Sequence, residues 1–405
     1  MIRIGFIGAG GYGRWHVEGF LSLQAEGLVQ ITAMADPSAA VVDALQARPE
    51  LNRVRCFTEY RDMLAAGNLD AVVVSAPISF HREITLAALD RGLFILLEKP
   101  PVPLLSQLEE LVVADPGSRV MVAFQHIYSG LIHRLKQDVA AGDAGRLLSI
   151  SAHGLWPRTT GYYQRSGWAG QLEWNGKPVL DGPCTNACAH FVNIALYLAG
   201  DKLETFAMPS EVTGETYRAR PGLPGYDTGC LTGTFAGGAR FFIGFSHAVS
   251  TSSPVQIHIR GEKKTLCLLD DCETLRSGDG VLTKGDDGRD SMRRAFLAFA
   301  GGDRTQNRTP LHAMKAYVLA TNMMFLSSGG IHTIPGEYVR AIDPETDRAI
   351  FAIENIASIF QECSSQFAPF YATSAPWAKK SHSIASPHFS EATMKLMLGM
   401  STTAL

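Results

Sequence analysis

Over the first 123 residues short apolar runs alternate with amphipathic stretches, the rhythm of βα units laid on a parallel sheet. Strands are predicted at 2–7, 29–35, 54–56, 71–76, 94–97 and 120–124. The runs Ala71-Val72-Val73-Val74 and Phe94-Ile95-Leu96-Leu97 are apolar at every position, as strands buried on both faces require. A helix over 80–91 fits between two of them and stops at Gly92, in a C′ position. After Phe124 the rhythm changes. A helix at about 128–141 is followed by strand-like segments at 147–156, 228–235, 239–246, 255–260 and 264–269. Gly237-Gly238 and Gly261-Glu262 stand where hairpin turns belong. Helices are predicted to begin between Asp181 and Thr185, to run over 311–326, and to occupy 345–363.

The fold class expected is therefore α/β, a doubly wound Rossmann sheet, followed by an α+β domain with an open, mostly antiparallel sheet. The boundaries read as 1–123 for a dinucleotide-binding domain, 124–335 for a substrate-binding domain, and 336–405 for a helical extension and tail. The stretch after Trp377 is polar and Ser-rich and is expected to be a mobile tail. A sheet face rich in Phe and Ile, if left uncovered, would drive a homo-oligomer, a dimer or tetramer.

Composition narrows the function classes. With 405 residues, 46% hydrophobic and 19% charged, the chain has material for two cores. A net charge of -3 gives no basic field for nucleic acid or an anionic membrane. No apolar run is long enough to span a bilayer, and because the sequence enters a strand at once no leader is expected. Seven scattered cysteines, an odd number, read as reduced thiols, so a cytoplasmic location is expected. Cys184, Cys188 and His190 are close in sequence, but no fourth ligand follows at a recognisable spacing; no metal is expected.

Gly8-Ala9-Gly10-Gly11-Tyr12-Gly13 is a G-x-G-x-x-G placed after a strand and at the start of a helix, the context that gives the pattern meaning. Pyrophosphate belongs at such a helix N-terminus. Asp36 ends the second strand, where an acid grips ribose hydroxyls and repels a 2′-phosphate, so NAD is expected over NADP. Ser75-Ala76-Pro77 closes the fourth strand; His81 is open to two readings, a crevice residue or a surface histidine on the next helix.

Glu98-Lys99-Pro100 follows the fifth strand. With the glycine fingerprint and Pro77…His81, it resembles the glucose–fructose oxidoreductase/inositol dehydrogenase/rhizopine catabolism (Gfo/Idh/MocA) family. The resemblance continues through Trp156-Pro157-Arg158, Tyr162-Tyr163-x-Arg165, Trp168-Ala169-Gly170 and the segment from Asp181 to His190, covering about four-fifths of the chain. It implies an NAD(P)-dependent oxidoreductase that moves a hydride between nicotinamide and a carbinol carbon of a sugar, sugar acid or cyclitol. Two alternatives stay open: a redox-neutral glycosidase or epimerase with retained NAD, and a non-catalytic dinucleotide-binding protein. The resemblance adds Glu98, Lys99 and Gln125 to the cofactor residues. Trp156, Arg158, Tyr163, Arg165, Trp168 and Asp181 become candidates for the substrate, with His247 and Asp227 weaker ones.

Lys99, His190 and Asn186 are the catalytic candidates. Many family members carry Asp-x-Gly-x-His; here Asn186 stands at the Asp position, and Asn193 replaces a further acid three residues past His190. Asn takes no proton and holds no charge. The i, i+4 spacing is expected to put Asn186 and His190 on one helix face. A free His titrates near 6.5, whereas a Lys near 10.4 needs roughly 3 units of depression, on the order of 4 kcal/mol, to be half neutral. Magnitude therefore favours His190 as proton carrier and Lys99 as the group that steadies the oxygen.

Overall fold

The computed structural model describes residues 1–278, 280 and 282–401. Six strands, β1 (Ile2–Ile7), β2 (Val29–Ala35), β3 (Arg55–Phe57), β4 (Ala71–Val74), β5 (Phe94–Leu97) and β6 (Val120–Val122), form one sheet. Their order is β3-β2-β1-β4-β5-β6 and every pairing is parallel. The order reverses between β1 and β4, so the carboxyl ends of these two strands flank the switch point where doubly wound sheets bind ligands.

The second sheet is built from longer, mostly antiparallel strands. They are β7 (Leu147–Leu155), then β10 (Pro209–Arg218), β11 (Thr228–Phe235), β12 (Arg240–Ser246), β13 (Ser253–Gly261), β14 (Thr265–Leu269), β15 (Thr274–Ser277), β16 (Leu282–Lys284) and β17 (His332–Thr333). Two small hairpins lie apart: β8 (Glu173–Trp174) with β9 (Lys177–Pro178), and β18 (Val339–Ile342) with β19 (Ile350–Ile353). The sheet runs β16-β15-β14-β13-β7-β12-β11-β10-β17, with β20 (Ile384–Ala385) also pairing β10. The hairpins predicted at Gly237-Gly238 and Gly261-Glu262 join β11 to β12 and β13 to β14. Gly238 has φ +82°, the left-handed turn that only glycine adopts cheaply.

Strand β10 is missing from the sequence prediction. Its buried positions include Glu215 and Thr216, and Gly214 lets the helix Lys315–Ser328 approach until a Cβ would lie 2.5 Å from Met324 Cα. Paired polar groups and a close-packed glycine erase the apolar alternation on which a strand prediction rests.

The chain divides into two compact units otherwise than at 123 and 335. One comprises 1–102, 106–129 and 288–314; the other comprises 103–105, 130–287 and 315–405. Residues 288–314, expected in the substrate domain, pack with the first sheet. Arg293 lies buried against Gly19 and donates to the Trp15 carbonyl at 2.9 Å. The Phe299 ring meets Phe94 at 5.1 Å, and Thr309 exchanges backbone and side-chain bonds with Val122.

Two expectations about the C-terminal part are overturned. The stretch 345–363 is not one helix: it turns from β19 into a helix at Ile356–Gln366, with Asn355 at φ +56° between them. Beyond Trp377 the chain adds β20 and a helix, Glu391–Met397, whose Met394 is fully buried, so most of the expected tail is packed structure. Residues 402–405 lie outside the described residues. The premise for oligomerisation also changes. Leu155, Tyr217, Cys230 and Phe242 on one face of the second sheet are covered by Ile356, Ile359, Phe360, Phe370 and Trp377 of the same chain.

Glu215 fastens that cover. It accepts from Tyr217 Oη at 2.7 Å and from the Tyr371 backbone N–H at 3.1 Å, and burial pushes its carboxyl up to about 7. A carboxyl whose folded pKa is raised binds its proton more tightly folded than unfolded, so its contribution is lost as pH rises through about 7. We expect denaturant unfolding to show stability falling by about 1–3 kcal/mol between roughly pH 5 and pH 8. Glu215→Gln should flatten that slope. An unchanged slope in the variant would exclude Glu215 as its source.

Candidate active site

In the first unit the carboxyl ends of β1, β4, β5 and β6 carry the sequence-predicted residues to one edge of the sheet. Gly8 has φ +81° and faces the Ser75–Ala76 backbone so closely that a Cβ would lie 2.7 Å from Ser75 O. A Cβ on Gly13 would lie 1.9 Å from Gly8 O, which locks the helix Gly13–Ala25 onto the turn. Ala9 is fully buried, Gly11 and Tyr12 are exposed, and nothing lies within 4 Å of a Cβ placed on Gly11. The first turn of that helix contains no acid. Asp36 Oδ2 accepts from Gly10 N at 2.9 Å and Oδ1 from Ser38 N at 3.0 Å. These residues fit a dinucleotide: an open glycine cradle, helix N–H groups unopposed by acid, and a carboxylate beside the turn.

Lys99 is held from both sides. Glu98, buried, accepts from the Lys99 backbone N–H at 3.1 Å and pairs with His16 Nε2 at 2.7 Å. Burial opposes the Glu98 charge, yet His16 and Lys99 together keep its carboxyl below the ordinary carboxylate value. His81 is buried at 1% exposure, with its ring nitrogens 2.9 Å from Pro100 O and Ala76 O. It is therefore not a surface histidine. It ties the end of β4 to the Lys99-Pro100 turn, and burial lowers its pKa. Sequence reasoning missed His16. Its signal was its place on the buried stripe His16, Val17, Phe20, Leu23 of the first helix, a polar residue among apolar ones. Gln125, also buried, opens a 3-10 turn just after β6.

In the second unit the structure changes one expectation. Asn186 and His190 do not share one α-helix. Asn186 lies in a π-helical turn, Pro183–Ala187, and His190 in the α-helix Ala189–Ala199, with Cys188 (φ -102°, ψ 15°) breaking the run. Tyr226 explains the wide turn: its oxygen, 3.1 Å from the N–H groups of both Cys184 and Thr185, accepts from them. Asp181 fixes the turn from the other side. Its Oδ1 accepts from Asn186 Nδ2 at 2.7 Å and its Oδ2 from Gly170 N at 2.6 Å. At its far end the same α-helix is capped by the buried Lys136, which donates to the Gly200 and Thr205 carbonyls at 2.8 and 3.1 Å.

Gly170 closes the aromatic and arginine segment. The Arg158 guanidinium stands 5.5 Å from the Trp156 ring centroid and 4.7 Å from that of Tyr162. Arg165 stands 3.7 Å from Tyr162 and 5.0 Å from Trp168. Trp156 meets Phe191, the neighbour of His190, edge to face at 5.5 Å. His247 donates through Nδ1 to the Trp156 carbonyl, 3.0 Å away; burial, then Arg158, push it down to about 3, so the ring is neutral and Nε2 is an acceptor. Tyr163 and Asp227 serve a different place. Asp227 accepts from the Ala219 and Arg220 N–H groups, and Arg220 stacks on Tyr163 at 4.9 Å. A cavity of about 620 Å³ opens there, lined among others by Thr160, Tyr163, Arg220, Leu223 and Phe351. It includes none of Asn186, His190 or His247, and we do not take it as the reaction site. Cys184 and Cys188 are buried thiols of the core, and among the described residues no group of three His, Cys, Asp or Glu is arranged to hold a metal.

Residues 2–126 match the oxidoreductase family with an NAD-binding Rossmann fold, and residues 132–267 match the GFO/IDH/MocA C-terminal domain. The chain belongs to the Gfo/Idh/MocA family. Among curated relatives, inositol 2-dehydrogenase of Corynebacterium glutamicum is 31% identical over 152 residues, 37% of this chain and 44% of that protein. The match thus spans less than half of that relative's own length. Two solved structures share the fold. One is the WlbA dehydrogenase from Bordetella pertussis in complex with NADH and UDP-GlcNAcA (TM-score 0.69, 22% identity, 81% of this chain and 96% of that one). The other is a super-repressor mutant of Gal80p from Saccharomyces cerevisiae (TM-score 0.66, 18% identity, 81% and 95%). Among the described residues no helix is long and apolar enough to cross a membrane.

Against the family pattern, the acid missing at 186 reappears in space as Asp181. Asn186→Asp would put two carboxylates in hydrogen-bond contact, and one of them must then bind its proton above its unfolded pKa. We expect the variant to lose about 1–3 kcal/mol near pH 8 and to recover most of it toward pH 5, read by thermal unfolding. The double variant Asp181→Asn/Asn186→Asp should regain most of the loss at pH 8. Equal stability of Asn186→Asp and the parent at both pH values would show that the pair is not in contact.

Proposed function

We propose that this member of the family is an NAD-dependent dehydrogenase or reductase acting on a carbinol carbon of a sugar, sugar acid or cyclitol. The carrying observation is Asp36, whose carboxylate lies against Gly10 N at 2.9 Å, where it would meet ribose hydroxyls. Pro37 and Ser38 follow it and supply no cation for a 2′-phosphate, which favours NAD over NADP. Relatives named as dehydrogenases support the reaction type.

Nicotinamide, when bound, gives or takes the hydride. The chain supplies the rest. Lys99 is assigned to the carbinol oxygen, where its ammonium stabilises developing negative charge. The loop holding it is fixed through Glu98, His16 and His81, so little reorganisation accompanies the reaction. His190 is assigned the carbinol proton. Asn186, its amide committed to Asp181, is assigned to orient the substrate hydroxyl.

The test is nicotinamide absorbance with NAD and NADP against neutral sugars, sugar acids and cyclitols. Lys99→Met should abolish turnover while calorimetry shows near-unchanged NAD affinity. His190→Ala should cost about 10²- to 10⁴-fold in kcat. If it keeps the parental rate and the acid-side fall in activity, Lys99 replaces it as proton carrier. Asp36→Ala should weaken NAD binding and narrow the preference over NADP; a parent that binds NADP as tightly as NAD refutes the cofactor reading. Cofactor retained stoichiometrically through purification, with no net reduction of added NAD, would favour a redox-neutral enzyme instead.

A further inference from the structure

Arg158 and Arg165 share one ring, that of Tyr162, at 4.7 and 3.7 Å, and neither forms an ion pair with a carboxylate among the described residues. Arg158 donates to the Pro157 carbonyl at 3.4 Å and hydrogen-bonds the Tyr162 side chain, and Arg165 donates to the Tyr162 carbonyl at 2.6 Å. Each guanidinium has five N–H donors, so most of this capacity is unspent on the protein. Arg158 Nε is buried with no partner, and so is Nε2 of His247, a residue only 3% exposed. Buried donors and acceptors in native proteins are paired, and orphans gathered at one place mark a missing ligand.

The nearby carboxylates do not meet this need. Asp181 is held by Gly170 N and the Asn186 amide, and Asp227 by Ala219 N, Arg220 N and Thr228. Arg220 itself is spent on the Thr160 hydroxyl and the carbonyls of Arg158 and Ala349, so it props the segment rather than offering a charge. Two like charges over one aromatic ring repel, and an oxyanion seated between their donors reverses the sign of that interaction. The planar guanidinium fork matches a carboxylate or phosphate in two-point contact, whereas a neutral hydroxyl uses one donor at a time.

We propose that Arg158 and Arg165 form an oxyanion subsite, so that the physiological substrate carries a carboxylate or phosphate group, while the Nε2 lone pair of neutral His247 is left to accept from a hydroxyl of the same ligand. This deepens the dehydrogenase reading by naming the substrate class of the same site. The subsite lies on the segment tied by Asp181 to the turn bearing Asn186, so the anion and the carbinol would be held by one connected piece of structure.

The test is calorimetry on the full chain with NAD present, using matched pairs: D-glucuronate against D-glucose, and glucose 6-phosphate as the phosphate arm. We expect at least one acid to bind about 10- to 100-fold more tightly than glucose, and its affinity to fall with added salt. Tighter binding of glucuronate assigns a carboxylate; tighter binding of the phosphate ester assigns a phosphate. Arg158→Met and Arg165→Met should each remove most of the preference, and Arg158→Lys should restore only part of it, because the charge returns without the fork. Near-ultraviolet circular dichroism matching the parent confirms that a variant is folded. Equal affinity for acid and neutral sugar, no heat from either acid at millimolar concentration, or parental acid binding in both Met variants would each overturn the proposal. Acid binding without NADH formation leaves it standing and counts against the dehydrogenase reading. Turnover of neutral polyols with no preference for acids does the reverse.

Discussion

One carboxylate organises the second unit. Asp181 divides its two oxygens between the Gly170 N–H, which closes the arginine–aromatic segment, and the Asn186 amide, which sits in the turn before the His190 helix. The group is 2% exposed, so each bond forms where water cannot compete. Removing it would take a buried hydrogen bond from the Gly170 N–H and another from the Asn186 amide, at about 1–3 kcal/mol each. Two pieces of chain that make no regular secondary structure together are thereby held in one place. The first unit has a counterpart in Glu98, which joins the His16 ring to the Lys99 backbone. In both units a buried acid is used as a joint, with its charge met by donors from two elements.

That use of buried polar groups marks the limit of what the sequence shows. The first sheet was legible because strands β4, β5 and β6 are apolar at every position and its glycines stand at fixed offsets. Gly8 and Gly13 perform the close approaches that their spacing predicts. Periodicity failed where a polar residue does a structural job. Strand β10 carries Glu215 inside the protein, and its partner Tyr371 is 156 residues away in sequence, so no local window can show that the glutamate is satisfied. The pairing of Asn186 with Asp181 is local, five residues apart, yet it depends on a π-helical turn whose cause, Tyr226, comes forty residues later. The division into units was missed for the same reason. Residues 288–314 are held by Phe94, Val122 and Trp15, contacts that only the folded chain brings together.

The cover over the second sheet has a similar lesson. An open sheet face is a demand for apolar surface, and composition alone suggests a second copy of the chain as the supplier. Here the chain's own residues 353–377 meet it at Leu155, Tyr217, Cys230 and Phe242. Trp377 and Phe370 pack on Tyr217 at 4.8 and 6.0 Å, and the Tyr217 hydroxyl is tied to Glu215 and to the Lys379 backbone. The cover is thus specified at one end by a polar triad and along its length by aromatic edges. An intramolecular cover forms at no cost in association entropy, so it displaces any weaker partner from that face.

The two departures from the family pattern, both asparagines, share one electrostatic direction. Asparagine stands at 186 and at 193, where the resemblance implies acids, and each replacement removes a negative charge from the neighbourhood of His190. Asn193 is fully buried and its amide meets no partner among the described residues, so the position keeps the shape of the acid without its charge. Across the Asp181 joint stand Arg158 and Arg165, residues of the motifs that carry the resemblance, and neither forms an ion pair among the described residues. Asp181 is the acid that stays, spent on Gly170 N and the Asn186 amide, and the half-buried Arg158 and exposed Arg165 leave the segment with a positive field. His247 registers that field, since both arginines act to lower its pKa. Such a field is costly with only the protein present and favourable once an anion enters. The two asparagines and the two arginines therefore act in one direction, and under the oxyanion proposal the negative charge they leave unmet is supplied by the ligand.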